Sequence, residues 1–123
     1  MAETIFIVDP LPDERRRIAD ALANEPVFVE CYESAEQFLD QVAESASGCL
    51  LAPLDLPGIG LRALMDEISN RHLPLAVVVI GRDSEFAIAI ELVRAGAFDF
   101  LEHPFSDWRL RSIIRRAIGE APE

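Results

Sequence analysis

Positive charge is scarce in this sequence: 11 lysines and arginines stand against 22 aspartates and glutamates in 123 residues, a formal net charge of −11. Nucleic acids and anionic membranes are bound chiefly through cations that neutralise phosphates. The deficit therefore excludes direct nucleic-acid binding by this domain. Cysteine is limited to Cys31 and Cys49, both within apolar runs that read as strands. A free thiol there behaves as a small hydrophobe, so buried structural thiols are expected rather than a disulfide. No stretch approaches the ~20 apolar residues of a bilayer span. Met1–Pro10 also lacks a basic segment followed by a long apolar one, which leaves the cytoplasm as the expected compartment. A Ser-His-Asp set, a glycine-rich phosphate loop and metal-ligand spacing are all missing, so neither enzymatic activity nor a cofactor is expected.

Half of the residues are hydrophobic and 27% are charged, a composition that supports one ordered domain of this length. Thr4–Val8 is a brief β-rich run with little polar alternation, which suits a strand covered on both faces. Pro12–Asn24 opens with proline, carries early acids and places Ile18, Ala21 and Leu22 at helical spacing. Val27–Cys31 reads as a second strand, and Ser34-Ala35-Glu36-Gln37 as a capping box opening a helix that runs to about Ala43. Cys49–Ala52 is a third strand, Pro53–Gly60 a loop broken by prolines and glycines, and Leu61–Arg71 a helix. Leu75–Ile80 is the most apolar stretch and reads as a central strand. A helix is expected from Ser84 through Ala95, with Gly96 as the left-handed residue that ends it. Phe98–Leu101 reads as the fifth strand and Ser106–Ile118 as the fifth helix, followed by Gly119.

Strict alternation of strand and helix with short connections predicts an α/β domain with a parallel sheet covered by helices on both faces. Sheets of this kind bind at the carboxyl ends of their strands. Those ends carry Asp9, Pro53 to Asp55, Ile80 to Arg82, and Glu102 to Pro104. The domain is expected over 1–119, with 120–123 as a tail or the start of a linker.

IFIVDP near the start, Pro57-Gly58 after the third strand, and AGAFDFLEHPF at Ala95–Phe105 carry a resemblance over essentially the whole chain. On these motifs the sequence resembles the receiver domain of two-component response regulators. The cadence of CYESAEQFL and AGAFDFLEHPF is most similar to receivers that precede LuxR-type DNA-binding domains. The resemblance implies a flavodoxin-like, doubly wound five-stranded sheet of order 2-1-3-4-5 with five helices. It also implies an aspartate ending the third strand that takes a phosphoryl group from a partner histidine kinase, and a divalent metal held partly by an acidic pair after the first strand. A Ser or Thr ending the fourth strand and a Lys ending the fifth would then contact the phosphoryl oxygens.

Position by position, little of that set is present. Asp9 matches one acid of the pair, but its neighbour is Pro10. The acceptor position, counted back from Pro57-Gly58, is Pro53, which has no nucleophile and no N–H. The hydroxyl position falls on Ile80 or Gly81, and His103 replaces the lysine, so no fixed positive charge remains. A degenerate phosphorylation pocket is therefore expected, with Mg²⁺ binding weak or absent. Asp55, two residues beyond Pro53, is the candidate substitute acceptor, and Asp9, Asp55 and His103 are candidate metal ligands. For these three the solvated-surface reading is favoured. Pro104 is expected to follow a cis bond, and Phe100 matches the family's switch aromatic, with a plain core role an equal alternative.

The fourth helix is apolar on most of its circumference, which suggests a partner. By resemblance, a homodimer is expected through the fourth helix, fifth strand and fifth helix, using Phe86, Ile90, Val93, Asp99, Trp108, Arg111 and Arg115. The arginines would reach Asp99 or Glu91 of the other copy. An output domain is expected in the same full-length protein.

Overall fold

The structure is a computed structural model that describes residues 3–119. The expected tail at 120–123 lies outside the described residues. Five strands, β1 (Thr4–Val8), β2 (Phe28–Tyr32), β3 (Gly48–Pro53), β4 (Leu75–Gly81) and β5 (Asp99–Glu102), alternate with five helices. The helices are α1 (Pro12–Ala21), α2 (Ala35–Gln41), α3 (Gly60–Asn70), α4 (Phe86–Arg94) and α5 (Asp107–Ala117). All strands are parallel, in the order β2-β1-β3-β4-β5.

The two-residue period of the strands divides the core into two layers. Phe6, Leu50, Ala52, Val77 and Val79 face α2, α3 and α4, where Phe38, Leu64 and Leu92 pack on them. Ile5, Ile7, Cys49, Leu51, Val78 and Leu101 face α1 and α5, meeting Ile18, Leu110 and Ile113. Both faces of β3 and β4 are covered, which is why these strands read as continuous apolar runs.

Element boundaries differ from the sequence reading where a side chain's burial overrides local propensity. α1 ends at Ala21, not Asn24: Leu22 is drawn into the core at 1% exposure and the chain tightens into turns before Pro26. β2 is shifted by one residue to Phe28–Tyr32, because Val8 pairs with Tyr32, whose ring lies 5.3 Å from that of Phe38. The shift corrects the expectation for the cysteines. Cys49 is buried, but Cys31 is exposed, since β2 is an edge strand with a neighbour on one side only.

α2 begins as the capping box predicts, with Ser34 Oγ accepting from the Gln37 amide at 3.0 Å, but stops at Gln41. The fourth helix starts with a 3₁₀ turn over Asp83–Glu85, and Gly96 takes φ +122° just past its end. Pro53 belongs to β3 instead of the following loop. It pairs with Ile80, and the Leu54 amide carries the β3–β4 ladder on by donating to Ile80 O at 2.8 Å, in phase with the Gly48 amide on Pro74 O, so proline removes no bond to β4. Among the described residues no helix is long and apolar enough to cross a membrane.

Candidate functional site

The carboxyl ends of β1, β3 and β4 and the loop after β5 open onto a cleft of about 600 Å³. Asp9, Pro10, Pro53, Asp55, Ile80, Gly81 and His103 all line it, so the fold gathers the residues singled out at these strand ends into one place. Arg82, from the same β4 end, also lines it, as do Glu14 and Glu85, which the sequence reading did not select.

Asp9 ends β1 and is only 5% exposed. The Leu11 amide donates to its Oδ1 at 2.8 Å, and Arg15 Nη1 donates to its main-chain oxygen at 2.6 Å. Burial raises its carboxyl above the ordinary 3.8, the Leu11 amide opposes that rise, and the negative charges of Glu14 and Asp55 add to it. The folded chain thus binds this proton more readily than the unfolded chain. Its contribution to stability is fully present below 3.8 and is lost as pH rises through the higher folded-state value. Asp9→Asn keeps an oxygen for the Leu11 amide and removes the ionisation. We expect this variant to be more stable than the parent near about pH 7, with the gap shrinking toward about pH 4, in denaturant titrations at both values. A gap of equal size at the two values would exclude ionisation as its source.

Pro53 is half-buried at the end of β3, and Asp55 is exposed at the mouth of the cleft. Ile80 and Gly81 part company. Ile80 is 3% exposed and packs among the residues facing α1 and α5. Gly81 turns the other way: a Cβ built on it would lie 3.0 Å from Phe100 Cε1 and 3.0 Å from Glu85 Oε1. That oxygen also accepts from the Arg82 amide at 2.9 Å. Neither Ile80 nor Gly81 offers a hydroxyl.

The His103 amide donates to Gly81 O at 2.8 Å, the His103–Pro104 bond is cis, and the His103 ring lies 5.0 Å from that of Phe105. The Arg17 guanidinium covers Phe105 at 4.4 Å and bonds its carbonyl. No lysine occurs anywhere in the chain.

A divalent cation asks for several ionised oxygens at one point. Here Asp9 is buried with one oxygen engaged by the Leu11 amide, and its neighbour Pro10 has no side-chain ligand to add. Among the described residues no three His, Cys, Asp or Glu side chains converge as a ligand set, Asp9, Asp55 and His103 included.

On the opposite side of Phe100 lies the outward face of α4. Phe86 and Ile88 are each 55% exposed, with Ile90 and Val93 beside them, and Trp108 of α5 is 70% exposed. The α5 arginines are otherwise engaged. Arg115 makes a two-pronged bond to Glu25 at 3.0 and 3.2 Å, and Arg111 reaches Ala21 O at 3.3 Å, so both turn toward α1. Asp99 pairs within the chain with Arg116 at 3.2 Å. These intrachain bonds engage the arginines that were expected to reach a partner's Asp99, although Arg111 and Arg115 stand three and seven positions from Trp108 and share its side of the helix.

A sequence model described as the response regulator receiver domain matches residues 5–115. The transcriptional regulatory protein FixJ of Azorhizobium caulinodans is 29% identical over 119 residues, covering 97% of this chain and 56% of that protein. The DNA-binding transcriptional regulator NtrC of Escherichia coli is 28% identical, covering 97% of this chain and 25% of that one. The chain thus spans little more than half of FixJ and a quarter of NtrC. Among solved structures, the receiver domain of NtrX from Brucella abortus superposes with a TM-score of 0.86 at 30% identity, covering 95% of this chain and 99% of that chain. Full-length FixJ from B. japonicum gives 0.85 at 26% identity, covering 94% and 57%.

Proposed function

This chain belongs to the response regulator receiver domain family, and from that premise we propose that it is a receiver that works without phosphorylation, as an interaction module in two-component signalling. The observation that carries the reading is Pro53 at the carboxyl end of β3, in the cleft where a carboxylate nucleophile is called for. A pyrrolidine ring cannot accept a phosphoryl group. The chemistry around it agrees: one buried carboxylate, no hydroxyl on Ile80 or Gly81, and an imidazole in place of a fixed cation. No enzymatic step is assigned to the domain.

Signalling in this reading passes through contact. The exposed apolar face of α4, with Trp108 nearby, pairs with a second copy or docks on an output domain of the same protein. The names of FixJ and NtrC make a transcriptional output, of LuxR type or another, the natural extension. A histidine kinase would be met as a binding partner and not as a phosphoryl donor. The compartment in this reading is the cytoplasm.

A second reading has one observation behind it: Asp55 is exposed and lines the same cleft as Asp9. Incubation with acetyl phosphate and Mg²⁺, read by intact mass, separates the two. We expect no phosphoryl adduct on the parent chain. An adduct that disappears in Asp55→Asn would replace the first reading with a displaced acceptor.

A further inference from the structure

Gly81 is a glycine for which no left-handed backbone is responsible, since its φ lies where any residue is accommodated. What distinguishes the position is the space beside it. A methyl group there would meet Phe100 Cε1 and Glu85 Oε1, both at 3.0 Å, and Leu54 Cβ at 3.5 Å. These three neighbours come from β5, from the 3₁₀ turn and from the loop after β3. The missing side chain is therefore a seat shared by three elements that meet nowhere else along the sequence.

Two contacts extend the seat to the first turn of α4. Glu85 Oε1 accepts from the Arg82 amide at 2.9 Å while the Glu85 amide donates back to Arg82 O at 2.9 Å, which closes the 3₁₀ turn. The ring of Phe100 lies 6.3 Å from that of Phe86, the residue that opens α4 and stands half out of the surface. Phe100 thus meets Gly81 on one edge and the opening of α4 on another.

We infer that Gly81 is a positioning residue: the absence of its side chain seats Phe100 and Glu85 against the end of β4 and so fixes the start of α4 and the set of its exposed face. A methyl group placed in that seat presses on the Phe100 ring and on the Glu85 carboxylate that accepts from the Arg82 amide, so both must shift. The inference rests on this steric arrangement and not on what Pro53 replaces, so either outcome with acetyl phosphate leaves it standing.

Gly81→Val in the full chain tests it, because valine suits a strand and adds only bulk. Amide hydrogen exchange over Asp83–Ala89 is expected to accelerate by about tenfold, with protection in β1 and β3 unchanged. The Phe100→Ala change, which alone leaves a cavity beside Gly81, is expected to restore most of that protection when combined with Gly81→Val, as the valine then fills the vacated space. Should Gly81→Val fail to fold, Gly81→Ala meets the same two atoms and is expected to accelerate the same amides by about threefold. Unchanged exchange over Asp83–Ala89 in the variant that folds overturns the inference. So does a double variant no better protected than Gly81→Val alone.

Discussion

Gly48→Ala is expected to lower the unfolding free energy by about 3 kcal/mol or more, the largest loss we anticipate from adding one methyl group. Gly48 opens β3 with φ +133°, a conformation that costs an L-residue about 1–3 kcal/mol. The added Cβ would stand 2.1 Å from Thr4 O, so the clash is with backbone and no side-chain rotation relieves it. Thr4 is the residue paired with Gly48 at the start of the β1–β3 ladder, and the Gly48 amide also bonds Pro74 O ahead of β4. Relief must therefore part the two central strand pairs, at about 1 kcal/mol for each ladder bond lost. Asp9 and Pro53 ride at the far ends of those same strands, so the shape of the cleft is tied to this glycine. Chemical denaturation of parent and variant measures the effect. A loss below about 1 kcal/mol would mean that the strands yield more easily than this packing implies.

Ile90→Asp is expected to weaken self-association by about 100-fold while leaving the fold intact. Ile90 sits on the outer side of α4 with Phe86 and Val93, and it is already 36% exposed in the single chain. An aspartate there costs the isolated domain little. In a dimer it would bury a charge among apolar side chains of both copies, a penalty large enough to dominate the association. Trp108 adds aromatic area of the kind that anchors interfaces. The arginines contribute less than resemblance implies, because Arg115 and Arg116 are committed to Glu25 and Asp99 within the chain. Sedimentation over a range of concentrations reads the outcome. A parent chain that stays monomeric at high concentration would remove the homodimer and leave the output domain as the occupant of this face.

Two of the three interior strands, β1 and β4, were legible because their chemistry is local. Thr4–Val8 was delimited correctly, and Leu75–Ile80 missed only the final glycine, since strands buried on both faces need apolar residues at every position. The gathering of Asp9, Pro53, Asp55, Gly81 and His103 was legible through topology: strand ends of a parallel sheet must meet on one side. Glu14 and Glu85 were missed because nothing in a helix-starting acid distinguishes a dipole partner from a cleft wall. The exposure of Cys31 was missed because a β-rich pentapeptide with one charge, Glu30, does not say whether its other face is covered by a helix.

The amino-acid order alone determined the βα alternation, the parallel sheet, and the lack of a nucleophile at the end of the third strand, since each follows from residue type at a spacing of a few positions. Only the tertiary structure decided the rest: which face of the sheet Gly81 presents, that Phe100 and Glu85 fill the space beside it, and that Arg111 and Arg115 of α5 turn toward α1. Those outcomes depend on contacts between residues far apart in the chain, where side-chain direction and competition for one volume choose among partners that are equivalent in a linear reading.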